Sequence, residues 1–403
     1  MKKPNSELGP ISTSELEYLQ EHEMSRRDFM LDSLAVGGLA ATFGLAASGA
    51  AWGSIQPPAD EVVRIGYLPI TDATVLLVAH AKGYFEDEGL KTEPPVLMRG
   101  WSPLVEGFAA AKFNLVHLLK PIPIWMRYNN GFPVKIMSWA HLNGSGLVVG
   151  RHTGVESFAD LGGKQVAVPY WYSMHNIVLQ MGLRHAGLTP VIKSQGEPLA
   201  ANEVNLQIMP PPDMPPALAA RKIDAFIVAE PFNAVGEMLA GGKMLRFTGD
   251  MWKNHPCCVV CMNENQINAN PEWSQKVMNA IVRAQIYAQQ NKKADIIERA
   301  MTLYDEDSYA TPDAIQNPGW GSGRIDFQPW PYPSATKLIV NELKNTLVGG
   351  DTTFLQQLDA DFVAEDLVDY RFVKAAMEKH TGWQQGAGFN ADNPFEREEV
   401  IKL

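Results

Sequence analysis

The stretch from Lys164 to Leu183 constrains the fold more than any other part of the chain. Val166, Ala167 and Val168 form the short apolar run that a buried strand needs. Pro169 cannot donate to a ladder, so it suits the strand's end. Ser173 is placed to cap a helix, and Ile177, Val178, Met181 and Leu183 supply a helical apolar stripe. The reading is strand, aromatic loop (Tyr170, Trp171, Tyr172), then helix. Such a unit aims the helix's free N–H groups and positive end at whatever lies above the strand, which suits an anion. A second unit of the same kind runs from Val62 to Phe85, with Leu68–Asp72 as its turn. Two such units facing each other make a cleft.

The chain has 403 residues, enough for two domains with separate cores. Its net charge of −11 argues against nucleic acid or an anionic membrane surface as partner. A small anion responds to the local field, so net charge does not exclude it. The 3 cysteines all lie between 257 and 261, which rules out a framework of several disulfides.

The N-terminus reads as an address. Ser25-Arg26-Arg27-Asp28-Phe29-Met30 resembles a twin-arginine export motif, followed by a glycine- and alanine-rich segment and small residues near 48–51. A membrane anchor is the other reading, but five glycines between 37 and 53 make the segment poorly apolar. Residues 1–54 are therefore set aside as signal peptide and linker.

Along the rest of the chain strands alternate with helices, which predicts parallel sheets. Pro210–Pro216 reads as a rigid loop, and His255–Met262 as a strand. Pro271–Gln290 and Ala294–Tyr304 read as helices, Pro312–Tyr332 as a loop, and residues 386–403 as a mobile tail.

Three phrases, in order, resemble one family. They are Ile65–Pro69 with Leu77–Leu90, then Ser157–Pro169, then Ala217–Phe232. The family is that of the nitrate/sulfonate/bicarbonate solute-binding proteins of ABC importers. The resemblance is nearest to nitrate and bicarbonate receptors, through Trp101, His141–Gly146, His175 and Trp252–Pro256. It implies an α/β fold of the two-lobed periplasmic-binding-protein type II class. Residues 55–145 and 263–385 would build lobe one, and 146–262 lobe two, with hinge strands near Asn143–Leu147 and Cys257–Met262. It also implies a periplasmic monomer, a membrane ABC permease as partner, the twin-arginine translocase during export, and capture of a small anionic solute by hinge closure.

His175 matches the ligand-contacting histidine of that family. Its place at a helix mouth favours the neutral ring, a hydrogen-bond donor. Trp101 offers its indole N–H to an oxyanion or packs in a core. Thr71 and Asp72 face the cleft or cap a turn. His141 stands where nitrate-type receptors carry an amide, a departure that puts nitrate in doubt. Glu230 ends a strand at the cleft face, as a ligand group or a lobe-closing one. Lys253, with His255, is the basic residue of its loop and a candidate to neutralise an anion. Tyr170 and Trp171 wall an organic pocket or pack into lobe two.

Strand alternation puts Cys257 and Cys261 on one face and Cys258 on the other, so three thiols cannot converge on one metal. They read as small buried hydrophobes. No nucleophile elbow, Walker loop, zinc-protease motif or dinucleotide glycine pattern is present. No catalytic residue, metal ligand or cofactor is expected. The alternative is an exported metal-dependent enzyme resembling the pyrimidine-precursor synthases, using His175 and Cys257, Cys258 and Cys261.

Overall fold

The computed structural model describes residues 61–194, 196–290, 325–382 and 396–403. These fall in the unit Trp52–Leu403. The export motif, the helix expected at 294–304, most of the 312–332 loop and residues 386–395 lie outside the described residues. Among the described residues no helix is long and apolar enough to cross a membrane.

Two six-stranded sheets organise the chain. The strands used here are β1 (Ile65–Tyr67), β2 (Val96–Leu97), β3 (Leu115–Leu119), β4 (Val134–Asn143), β5 (Ser145–Gly150), β6 (Gln165–Val168) and β7 (Thr189–Val191). They continue with β8 (Glu203–Ile208), β9 (Ala225–Ala229), β10 (Gly242–Phe247), β11 (Trp252–Lys253), β12 (Pro256–Asn263), β13 (Ile325–Asp326) and β14 (Val400–Ile401). The first sheet runs β13-β4-β12-β3-β1-β2, and the second β10-β5-β9-β6-β8-β7. Both are mixed, not parallel throughout as alternation suggested. β1 is parallel to β2 and β3, but β12 is antiparallel to β3 and β4. In the second sheet β5 is antiparallel to β9 and β10. The strands that break the parallel order flank the two chain passages between sheets.

The first passage is short. Asn143 and Gly144 both hold positive φ, 57° and 78°, and turn β4 directly into β5. A side chain at Gly144 would meet Ile325 at 3.3 Å. The second passage runs from Phe247 to Pro256. The expected boundary of 146–262 for lobe two therefore differs from the sheets: β12 lies between β3 and β4 of the first sheet.

The focal helix forms where its sequence directs. Ser173 is extended, its side chain accepts from Asn176 N at 3.0 Å, and the helix runs Met174–His185. The Pro210–Pro216 run is not only a loop. Pro215 and Pro216 occupy the first turn of a helix over Met214–Ala219, where a missing N–H costs nothing. The C-terminus is also not a free tail as far as it is described. β14 pairs with β11, Arg397 lies over the rings of Trp139 and Tyr332, and Glu399 accepts from Trp252 Nε1 and Ser334 Oγ.

Candidate functional site

Where the two sheets meet, a group of polar side chains is closed off from solvent. Asp72, His117, Lys120, His141 and Ser145 are 0–1% exposed, as are His175, Glu230, Thr248, His255, Cys257 and Cys258. Strand ends and tight turns deliver them. Asp72 sits in the turn after β1, and that turn is pinned by Thr71 N donating to Glu230 O at 2.9 Å. His117 comes from β3 and accepts from Leu68 N at 3.0 Å. His141 comes from β4, and His175 from the first turn of the focal helix.

The polar contacts cross between sheets. His175 Nε2 lies 2.9 Å from Ser145 Oγ, and Ser145 Oγ lies 3.6 Å from Cys257 Sγ. Asp72 Oδ2 accepts from Cys258 Sγ at 3.2 Å and lies 3.9 Å from Cys257 Sγ. Its other oxygen lies 3.1 Å from His141 Nε2, close but off the hydrogen-bond direction. His255 Nε2 lies 2.8 Å from Thr248 Oγ1, whose hydroxyl also bonds Ser145 O at 3.0 Å.

Burial sets the charge states. It pulls His117 and His175 down to about 3 and His255 to about 4, and the neighbouring ring of His255 adds to the effect at His175. His141 falls well below the usual histidine value through burial and the three surrounding rings. Burial pushes Asp72 up to about 7 and Glu230 to about 8. Both acids are thus held towards their neutral forms. Lys120 is drawn down to about 7 by burial, against the opposing field of Cys261.

Several donors in this region have no partner. Trp101 Nε1, Lys120 Nζ and His175 Nδ1 are buried without a hydrogen bond, as is the acceptor Glu230 Oε1. Buried polar groups are normally satisfied, and these unpaired ones lie in helix first turns (Trp101, His175) and just past strand ends (Lys120, Glu230), where a ligand could complete them.

Residues 56–302, more than half the chain, match the NMT1-like family. The chain belongs to that family. A curated relative, the nitrate/nitrite binding protein NrtA of Nostoc sp., is 25% identical over 66% of this chain and 61% of its own length. The NMT1-like chain thus spans about three-fifths of that relative. Among solved structures, the periplasmic nitrate-binding protein NrtA from Synechocystis aligns with TM-score 0.67 at 18% identity, covering 84% of this chain and 98% of that one. The alkanesulfonate-binding protein SsuA from Xanthomonas axonopodis, bound to MOPS, aligns with TM-score 0.57 at 16% identity, covering 80% and 98%. These likenesses show the two-lobed periplasmic-binding-protein fold.

Of the expected site residues in this NMT1-like chain, Asp72, His141 and His175 lie in the buried group. Glu230 lies in it too, bonded to Thr71 at its edge, and Trp101 stands edge-on to His117 with ring centroids 5.5 Å apart. Three others lie elsewhere. Lys253 is exposed on β11 beside Val400. Tyr170 bonds Ser102, and the Trp171 ring lies close against Gly349.

Reading the sequence overlooked His117, Lys120, Ser145 and Thr248. His117 and Lys120 had a signal: both interrupt or end an apolar run, Leu115–Leu119, that must be buried. The thiol geometry also differs from strict alternation. β12 is irregular on both sides of Cys258 in its pairing with β4, so the adjacent thiols of Cys257 and Cys258 both approach Asp72. Cys261 stands outside that group, so the three-thiol set of the enzyme alternative is not assembled.

Proposed function

We propose that this chain is the periplasmic solute receptor of an ABC importer, exported by a twin-arginine signal, and that it captures a small anion or anionic organic solute between its two lobes. The observation that carries the reading is the set of unpaired donors sealed between the sheets: Trp101 Nε1, His175 Nδ1 and Lys120 Nζ. His175 Nδ1 is a donor when Nε2 accepts from Ser145. Lys120 is the one fully buried lysine among the described residues, one position past the C-terminal end of β3. An oxyanion would complete all three and gain from the dry surroundings. The relatives that bear nitrate, bicarbonate and sulfonate names agree with this class of solute.

The mechanism follows from the two passages between sheets. Rotation about Asn143–Gly144 and residues 248–255 would open the lobes and admit solute. Solute that bonds both His175 of one lobe and Trp101 of the other favours the closed form, which the membrane permease would recognise.

A thermal-shift screen of the full chain tests this. The panel holds nitrate, nitrite, bicarbonate, alkanesulfonates and uncharged analogues of similar size. A true solute at 100 times its dissociation constant stabilises by about 2.7 kcal/mol, and His175→Ala removes the shift. Hits confined to the uncharged analogues would sink the anion reading.

A further inference from the structure

We propose that Asp72, Cys257 and Cys258 bind a thiophilic divalent cation of the zinc class. The site goes beyond the receptor reading and does not depend on it.

Three observations carry it. The carboxylate and both thiols offer ligand atoms that all lie within 4.8 Å of one another, and all three residues are fully buried. The separations of Asp72 Oδ2 from the two sulfurs, 3.2 and 3.9 Å, bracket the spacing of about 3.5 Å expected between oxygen and sulfur ligands on one tetrahedral zinc. Second, the backbone is bent to make this possible. A regular strand sends consecutive side chains to opposite faces, and the irregular pairing of β12 around Cys258 cancels that rule at these two thiols. Third, His141 is fully buried and neither ring nitrogen makes a well-formed hydrogen bond. Its Nε2 faces the Asp72 oxygen that the thiols do not use, at 3.1 Å. That is where a residue orienting a metal-bound carboxylate belongs.

Two thiolates and one carboxylate are a borderline-soft donor set, which selects zinc-like ions over calcium or magnesium. Binding displaces the two thiol protons and any carboxyl proton to solvent. Three protein ligands leave a fourth position for water or another exchangeable donor.

The test uses the full chain, purified under reducing conditions, stripped with a chelator and titrated with Zn²⁺ or Co²⁺. One equivalent of Co²⁺ should bind with a thiolate-to-cobalt charge-transfer band, and Zn²⁺ should displace it. Cys258→Ser and Asp72→Asn should lose stoichiometric binding. His141→Ala should weaken it about 10- to 100-fold. Cys261→Ser should bind like the parent, because Cys261 lies outside the donor set. Circular dichroism confirms that each variant is folded. No band at one equivalent, a band that survives Cys258→Ser, or a loss in Cys261→Ser equal to that in Cys258→Ser would overturn the proposal. Solute binding is not read in any arm, so failure of the receptor reading leaves this result standing.

Discussion

Two polar clusters are buried along the focal helix about a turn apart, and they differ in how far they are satisfied. At one, Gln180 exchanges a reciprocal pair of hydrogen bonds with Leu347, both at 2.8 Å, and Asn176 bonds the carbonyls of Trp171 and Leu347. Gln180 also donates to Asn176 Oδ1 at 2.8 Å. At the other, His175 has Ser145 on one nitrogen and nothing on the other, and its surroundings hold further unpaired groups. In both clusters the side chains on the helix are fully buried. The complete one fastens the helix to the segment after Pro333–Leu343, and the incomplete one waits for something. Unsatisfied hydrogen-bonding capacity, not polarity or burial alone, separates a fastening from a binding site.

That contrast is open to direct attack. The largest effect should come from the complete cluster. Gln180→Leu strands the Leu347 N–H and Asn176 Oδ1, while the Leu347 carbonyl keeps its bond from Asn176, and should cost about 2–4 kcal/mol in urea unfolding, with solute affinity changed little. If Gln180→Leu leaves stability unchanged, the cluster is not a fastening. Next, His175→Ala should cost about 1.5–3 kcal/mol of solute binding by calorimetry, roughly 10- to 100-fold, with a smaller change in stability. Equal losses of stability in the two variants would erase the distinction. Third, Lys120→Met removes a buried amine without a partner. It should raise the stability of the empty protein by about 1–2 kcal/mol while weakening the anion. An unchanged affinity would remove Lys120 from the site.

The smallest effect belongs to a cluster that is satisfied but wet. Arg127 bonds Asp366 and Glu264, and Tyr128 adds a bond to Asp366. Burial pushes Asp366 up, but the bonds from Arg127 and Tyr128 and the charges of Arg127 and Lys135 outweigh it and hold it at about 2. A carboxyl lowered on folding stabilises above its unfolded value, and loses that contribution as pH falls through its folded value. The loss should therefore fall between about pH 4 and pH 2 and stay under about 1 kcal/mol, because solvent screens the pair. Asp366→Asn should flatten that part of an acid titration of stability. A steep loss remaining in Asp366→Asn would place it elsewhere.

Most of what reached the sequence reading was local. The Ser173 cap, the Val166–Val168 strand and the His175 helix mouth are set by residues next to one another, so they were legible. What escaped is set by pairing across long separations. β12 joins β3 and β4 from more than a hundred residues away, and nothing near Pro256–Asn263 says which sheet it enters. The shared direction of Cys257 and Cys258 depends on an irregularity in that pairing, which alternation has no means to foresee. The strand at Lys253 is set at long range too: its partner is the distant Val400–Ile401, which no residue beside it foretells.

The place of β12 has a further consequence for how the protein is made. Once Phe247 has left the ribosome every strand of the second sheet is out, and that sheet can close. At the same moment the first sheet has β3 and β4 but not the strand that belongs between them, and both carry buried apolar side chains. Synthesis passes through an interval in which one half of the molecule is finished and the other presents two open, sticky edges. A chain held where only residues up to about 247–255 have emerged would carry a closed second sheet beside an aggregation-prone first one, and Cys257 and Cys258 would arrive at the gap directly behind Pro256.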